Sequence, residues 1–528
     1  MRFGPILLCA GLLAAQTQPA AQDKDKCRVE GIVLNSVTSQ PVPRARVTLQ
    51  TIRVPASPGV AAAPAPASAV TDAEGKFVFT GIAAGTYQIF AQRDNFQYFR
   101  GPGRLTLMPG DEKKDVMLQI APLGAVAGHV RNEEGDALPS LQVGAMVYQY
   151  TAGGRQLVAR GSASTNDLGE YRVFGLAAGK YFLRVSPGAG RLAPGVDETY
   201  MVTYYPGTYD PSGAAPLDIG AGQELLGIDF TLRRTRAVAV RVRVVKPVGA
   251  SSPTIVWTQT TANGMMTSTT SSASDPEGKF ELRGLAPGAY TVMSQARVGD
   301  KTYSARRSIQ VASDDIEGIE LRLAPPVDLS GVVHIEGGAS VKPPQVRVAL
   351  QGSSIGGGTA IVKDDWTFAF RDLAPDLYRP NVTAPAGLFV KGVRCGNIDV
   401  AEFGLDLTAG GGCDLVITLS ANSGQIDGKV EAENAQPAAG ATVTLVAEST
   451  RRNDLFKSTS ADAGGHFKIL GVAPGSYRLY AWEEADLNAV RYDPDFVKPF
   501  ESLGKSLQIA EGARESVSLK QIAKPAGQ

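Results

Sequence analysis

Three histidines, four cysteines and a run of tyrosines are the side chains of this 528-residue sequence on which chemistry would first draw. A hydrolytic zinc centre needs clustered imidazole and carboxylate ligands. His129, His334 and His466 lie in three distant segments, and His334-Ile-Glu336 is a surface pair on one strand face with no third ligand beside it. No histidine accompanies a Gly-x-Ser-x-Gly elbow, and no phosphate loop, dinucleotide fingerprint or Cys-x-x-Cys pair occurs. These patterns point away from an enzyme and imply no cofactor. Asp72, Asp275 and the pair Asp364-Asp365 sit in turns, where a carboxylate accepts from nearby amides. Calcium wants six or more converging oxygens, so no metal site is expected there.

Two stretches have the character of binding surfaces. Tyr200, Tyr204, Tyr205 and Tyr209 fall within eleven residues of a long insertion, 187–216. Tyrosine on a loop offers a flat apolar face with a hydroxyl at its edge, suited to stacking on sugar rings or packing on a protein. The same residues could equally fold back over an open sandwich edge. Trp482 and Tyr492, mixed with Glu483, Glu484, Asp493 and Asp495, form the second stretch, with the same two readings.

These segments interrupt a repeat. The fingerprint runs Gly75-Lys-Phe77-Val-Phe79-Thr-Gly81 through Gly85 to Tyr87, and returns from Gly169 to Tyr181, Gly278 to Tyr290 and Gly465 to Tyr477. A worn copy keeps Phe368, Phe370 and Tyr378 but has Trp366, Asp372 and Asp376 at the glycine positions. Closing tyrosines recur roughly every 90 to 110 residues, the size of one small β domain. Each copy opens on a strand of Gly-x-Val-like alternation, with Gly-x-Val itself at Gly31, Gly128, Gly331 and Gly428. Alternation with period two then places Val47 and Leu49, Phe77 and Phe79, and Tyr87, Ile89 and Ala91 on core faces. Short strands every 8 to 12 residues between Gly/Pro turns indicate an all-β chain of Greek-key sandwiches. Helical periodicity is confined to one turn near Ala485–Val490, and the uncharged Pro/Ala-rich segment 54–69 reads as a disordered loop.

Lys+Arg and Asp+Glu both number 52, so the balance excludes the basic excess that nucleic acid or an anionic membrane rewards. Residues 1–21 have one early charge, an apolar run and small residues at Ala15 and Ala21, the pattern of a secretory signal peptide. No later apolar run reaches membrane-spanning length. The protein is therefore expected to be exported, to the periplasm, the outer surface or the medium. In such a compartment Cys395 and Cys413, which share one repeat, are candidates for a disulfide contributing ~3 kcal/mol. Two buried thiols are the alternative. Cys27 has no partner in its own repeat and reads as a small buried residue.

The opening Gly-x-Val, Asp-x-x-Gly-x-Phe-x-Phe and Gly-(Leu/Ile/Val)-Ala-(Ala/Pro)-Gly-x-Tyr together resemble the carboxypeptidase regulatory-like domain, across nearly the whole chain after its leader. The resemblance implies a transthyretin-like, seven-stranded sandwich, grouped with carbohydrate-binding-like folds, and a bacterial source. The expected organisation is a signal peptide (1–21) followed by five tandem sandwiches in an elongated array: 27–122, 124–233, 236–325, a divergent 328–420, and 423–522. The function expected is a non-enzymatic binding or spacer protein of the envelope, with carbohydrate or an envelope protein as partner. A purely structural interaction module and the accessory chain of a peptidase are the alternatives.

Overall fold

The computed structural model describes residues 26–51, 66–101, 104–151, 154–187, 198–260, 266–272, 278–338, 341–352, 356–448 and 452–523. The leader, Asp275, residues 54–65 of the Pro/Ala-rich segment and residues 188–197 of the tyrosine-rich insertion lie outside the described residues. The chain is all-β, with a few short helices. It divides into two compact units: the first holds the first repeat with residues 174–178 and 219–224, and the second holds the rest.

In the first unit, one sheet is ordered Lys76–Ile82, Cys27–Asn35, Glu112–Pro122, Phe96–Arg100, and the facing sheet Ala67–Val70, Arg46–Thr51, Gly85–Gln92, Arg104–Leu107. Ala67–Val70 belongs to the stretch that composition reads as loop. It is held by backbone pairing to Arg46–Leu49 rather than by side-chain propensity. Alternation sends Val47, Leu49, Phe77, Phe79, Ile89 and Ala91 into one core. The Cys27 thiol is buried and donates to the Met108 carbonyl at 3.0 Å.

The second unit repeats this plan. The third repeat pairs the sheet Lys279–Leu285, Val238–Val245, Ile316–Arg322 with a four-stranded sheet built on Thr254–Thr260 and Gly288–Val298. The fifth does the same with His466–Val472, Gly424–Glu431, Arg514–Lys520 facing a sheet built on Thr442–Ala447 and Gly475–Trp482. Cores are separate: one draws on residues 238–323, another on 327–419, a third on 426–519. In each of these repeats the opening strand runs antiparallel to the strand carrying Phe280, Phe368 or Phe467 and parallel to the last strand. Period-two patterning cannot disclose that parallel pair, because it reports faces and not directions.

The fingerprint residues interlock. A Cβ on Gly428 would lie 2.5 Å from Cζ of Phe467 and 2.4 Å from the Val517 carbonyl oxygen. Gly31 meets Phe77 in the same way, and Gly331 meets Phe368. The aromatic ring of the fourth strand therefore lies over the bare backbone of the first. At the other end of the motif the closing tyrosine donates to a carbonyl four residues earlier: Tyr87 to Ala83 at 2.8 Å, Tyr290 to Ala286 at 2.8 Å, Tyr378 to Ala374 at 2.8 Å, Tyr477 to Ala473 at 2.9 Å. This bond ties the strand to the turn that precedes it, which is why alanine, glycine and tyrosine recur at fixed offsets.

Gly428→Ala should destabilise the fifth repeat by about 1–3 kcal/mol through overpacking, read as an earlier thermal transition with the sheet signature retained. Burial pushes the Tyr477 phenol up to about 12, against about 10 in an unfolded chain. A raised acid pKa stabilises fully below the unfolded value and is lost as pH rises through the folded one. Denaturant midpoints should hold to about pH 10 and fall toward pH 12, by less in Tyr477→Phe, which itself costs about 1 kcal/mol at neutral pH.

Candidate functional site

The described part of the tyrosine-rich insertion adds an edge strand to the second repeat's sheet, ordered Gly154–Ser164, Gln142–Thr151, Gly179–Ser186, Thr203–Tyr204. Tyr204 is wholly buried, clustered with Met146 and Leu157 and packed against Tyr148, Phe182 and Val202. Its ring covers the sheet and presents no face to a ligand, which corrects its reading as a stacking platform. Tyr205 is half-buried, edge-on to Phe230 at 6.0 Å. Tyr200 is half-buried on Glu198–Tyr200, a strand paired with Arg234–Arg236. Tyr209 alone of the four is exposed, at 44%.

The second stretch meets the same physics. Trp482 is wholly buried, its indole N–H donating to Thr444 Oγ1 at 2.9 Å, its ring stacked on Tyr480 at 5.3 Å and met edge-on by Phe500 at 5.2 Å. It too is a core residue rather than part of a groove. The helices Leu487–Tyr492 and Pro494–Val497 supply its cover. Asp486 and Asp493 cap them, accepting from Asn488 and Ala489 and from Asp495 amides, so Asp493 is engaged by backbone. Tyr492 is half-buried beneath the Arg491 guanidinium, 5.0 Å from its ring centroid. The helix Leu487–Tyr492 also packs on Gln142–Thr151 of the second repeat. There the Tyr150 phenol is pushed up by burial and by the Asp493 charge.

Other joints within this unit are built from side chains to which the sequence pattern assigns no such role. Arg306 of the third repeat meets Asp376 of the fourth at 2.6 Å, with the Asp376 side chain 4% exposed. In four copies that position is a glycine with φ near +155° to +158°; Asp376 abandons the left-handed region, whereas Trp366 and Asp372 keep it at φ +65° and +54°. The worn fingerprint thus marks a joint. Between the fourth and fifth repeats, Arg452 Nη2 donates to the Val390 carbonyl at 2.6 Å while paired with Asp454 at 2.6 Å. Ser423 Oγ donates to the Gly387 carbonyl at 2.6 Å. Gly471, at φ +70°, lies so close that a Cβ would stand 2.6 Å from the Leu388 oxygen.

Cys395 and Cys413 are joined, Cα–Cα 5.7 Å, against the fourth core. His129 stands between Asp229 (3.3 Å) and Glu170 (3.8 Å) in an open groove of about 460 Å³. His466 lies 3.5 Å from Asp462, whose carboxylate accepts from the Gly464 and His466 amides. Asp72 likewise accepts from the Lys76 amide, and Asp365 from Thr367. Among the described residues no three His, Cys, Asp or Glu side chains are grouped to hold a metal.

Residues 28–119 and 425–493 match the model of the carboxypeptidase regulatory-like domain. No curated protein matches the chain significantly. Among solved structures, a minor pilin of Streptococcus agalactiae is similar at 13% identity and TM-score 0.23, covering 39% of this chain and 96% of its own. The Bacillus anthracis TIE protein is similar at 11% and 0.17, covering 77% and 76%, and the RrgB pilus protein of Streptococcus pneumoniae at 9% and 0.15, covering 95% and 99%. Similarities this distant carry no functional argument.

Trp482→Ala should cost about 3–5 kcal/mol of fifth-repeat stability, as for any large aromatic removed from a core; a cost near zero would return Trp482 to the surface. Arg452→Ala, which strips the largely buried Asp454 carboxylate of this partner, should lower the fifth repeat's melting transition and speed amide exchange in residues 385–391, followed by mass spectrometry.

Proposed function

We propose that this protein, whose first and fifth repeats are carboxypeptidase regulatory-like domains, is an exported, non-enzymatic scaffold that holds binding surfaces at set positions in a bacterial envelope. The observation that carries this reading is where the chain departs from its own repeat. Asp376, Arg452 and the helix Leu487–Tyr492 are each committed to a contact with another repeat. A chain that only needed to fold separate sandwiches would have no use for the Arg306–Asp376 and Arg452–Val390 contacts. The signal-peptide pattern and the joined Cys395–Cys413 pair support an oxidising compartment. Carbohydrate is the ligand class of this reading. With Tyr204 and Trp482 in cores, its aromatic support narrows to Tyr209, aided by the half-buried Tyr200, Tyr205 and Tyr492.

Paramagnetic distance measurement between labels at Arg160 and Lys505, both exposed, tests the scaffold reading. A narrow distribution is expected, broadening when Val490, buried in the fifth repeat's helical cover, is changed to Asp. A broad distribution in the unaltered protein would contradict a scaffold.

A further inference from the structure

Cys395 and Cys413 stand 18 residues apart in sequence and close a loop on the fourth repeat. Cys395 ends the strand Phe389–Cys395, and Cys413 leads into Asp414–Ser420, its antiparallel neighbour. The loop carries Ile398–Asp399, the helix Val400–Phe403 and Leu405–Asp406, and it buries Val400, Leu405 and Leu407 in the fourth core. The other repeats contain no pair of cysteines, yet the first, third and fifth each close a core. A sandwich of this type folds without the bond. What the bond adds is read from what its loop touches.

The loop and its flanking strand reach both joints of the fourth repeat. Toward the third repeat, Leu405–Asp406 pairs with Leu377–Tyr378, and the Leu407 amide donates to the Asp376 carbonyl at 2.9 Å. Asp376 is the residue whose carboxylate holds Arg306. Toward the fifth, Phe389–Cys395 carries the Val390 and Lys391 carbonyls that accept from Arg452, at 2.6 and 3.4 Å. Against a burial that opposes its charge, the Arg452 guanidinium is held protonated by Asp454 and by Asp399, a residue of the loop.

A cross-link over a loop of this length suppresses its open states on the order of a hundredfold. The bond is also within reach of solvent: Cys395 and Cys413 are half-buried, and Gly396, Gly411 and Gly412 beside them are exposed. Exposed disulfides are the ones that undergo exchange. We propose that Cys395–Cys413 is a redox-sensitive latch, whose reduction by a dithiol loosens both joints of the fourth repeat and leaves its sandwich folded. One thiolate of the dithiol attacks one sulfur and forms a mixed disulfide; its second thiol then displaces the protein. The S–S bond is replaced by two protein thiols, two electrons and two protons pass to the protein, and the dithiol leaves as a disulfide. The inference rests on the scaffold reading above and gives the scaffold a regulator.

Hydrogen exchange by mass spectrometry on the full chain, before and after dithiothreitol, tests it, with cleavage confirmed by the mass of two added hydrogens. Residues 376–378 and 385–391 should exchange at least tenfold faster after reduction, while Val327–Glu336 and Asp414–Ser420 keep their protection. Cys395→Ala combined with Cys413→Ala should show the fast pattern from the start and give no response to dithiothreitol. Acceleration confined to residues 396–412, loss of protection throughout 327–420, no change at all, or a dithiothreitol effect that persists in the double variant overturns the latch and leaves the scaffold reading standing. Residues 376–378 and 385–391 exchanging at the unprotected rate in the oxidised chain would overturn both.

Discussion

A phenylalanine ring laid over a bare glycine is the contact on which the architecture depends. In the first, fourth and fifth repeats the opening strand gives up a side chain so that the fourth strand's aromatic ring can reach the neighbouring backbone. The last strand lies against the same glycine through a carbonyl oxygen. Three strands are thereby fixed in register by one absent methyl group. A one-residue slip would put a side chain where none fits, and would turn the whole apolar face outward. The tyrosine hydroxyl then closes the following turn onto its own strand. In the first, fourth and fifth repeats the two devices close a sandwich on its own core; the third repeat, with Val242 opposite Phe280, keeps a separate core and only the tyrosine bond.

With fold specified so locally, other positions are released for contacts between repeats. Asp376 shows the trade most clearly: a turn glycine is exchanged for a carboxylate, and an arginine from the preceding repeat gains a buried partner. Arg452 and Gly471 act at the next joint by different means, one through hydrogen bonds and the other through close approach. The helical cover of Trp482 serves twice, shielding the outer face of its own sheet and packing on the second repeat.

The fold was largely legible in the sequence because glycine and aromatic residues at fixed offsets have few structural meanings. Val47, Leu49, Phe77 and Phe79 could be assigned to a core from alternation alone. Three things were not legible. The parallel pairing of first and last strands leaves no periodic trace. Ala67–Val70 pairs as a strand despite a composition that reads as loop, since backbone bonds to Arg46–Leu49 need no particular side chain. Tyr204 and Trp482 could not be told from surface aromatics, because a ring that covers a sheet and a ring that greets a ligand are the same residue type in the same kind of loop. The joints did leave a mark: the broken glycines of the fourth fingerprint were visible, but only the placement of Arg306 explains one of them.

Native-state hydrogen exchange on the full chain carrying Gly331→Ala tests most directly whether a repeat that has the glycine–aromatic contact stands on it alone. Protection should fall across residues 327–420 and stay at its original level in the strands of the first, third and fifth repeats. Loss of protection spread over the whole chain, or no loss in the fourth repeat, would contradict the account.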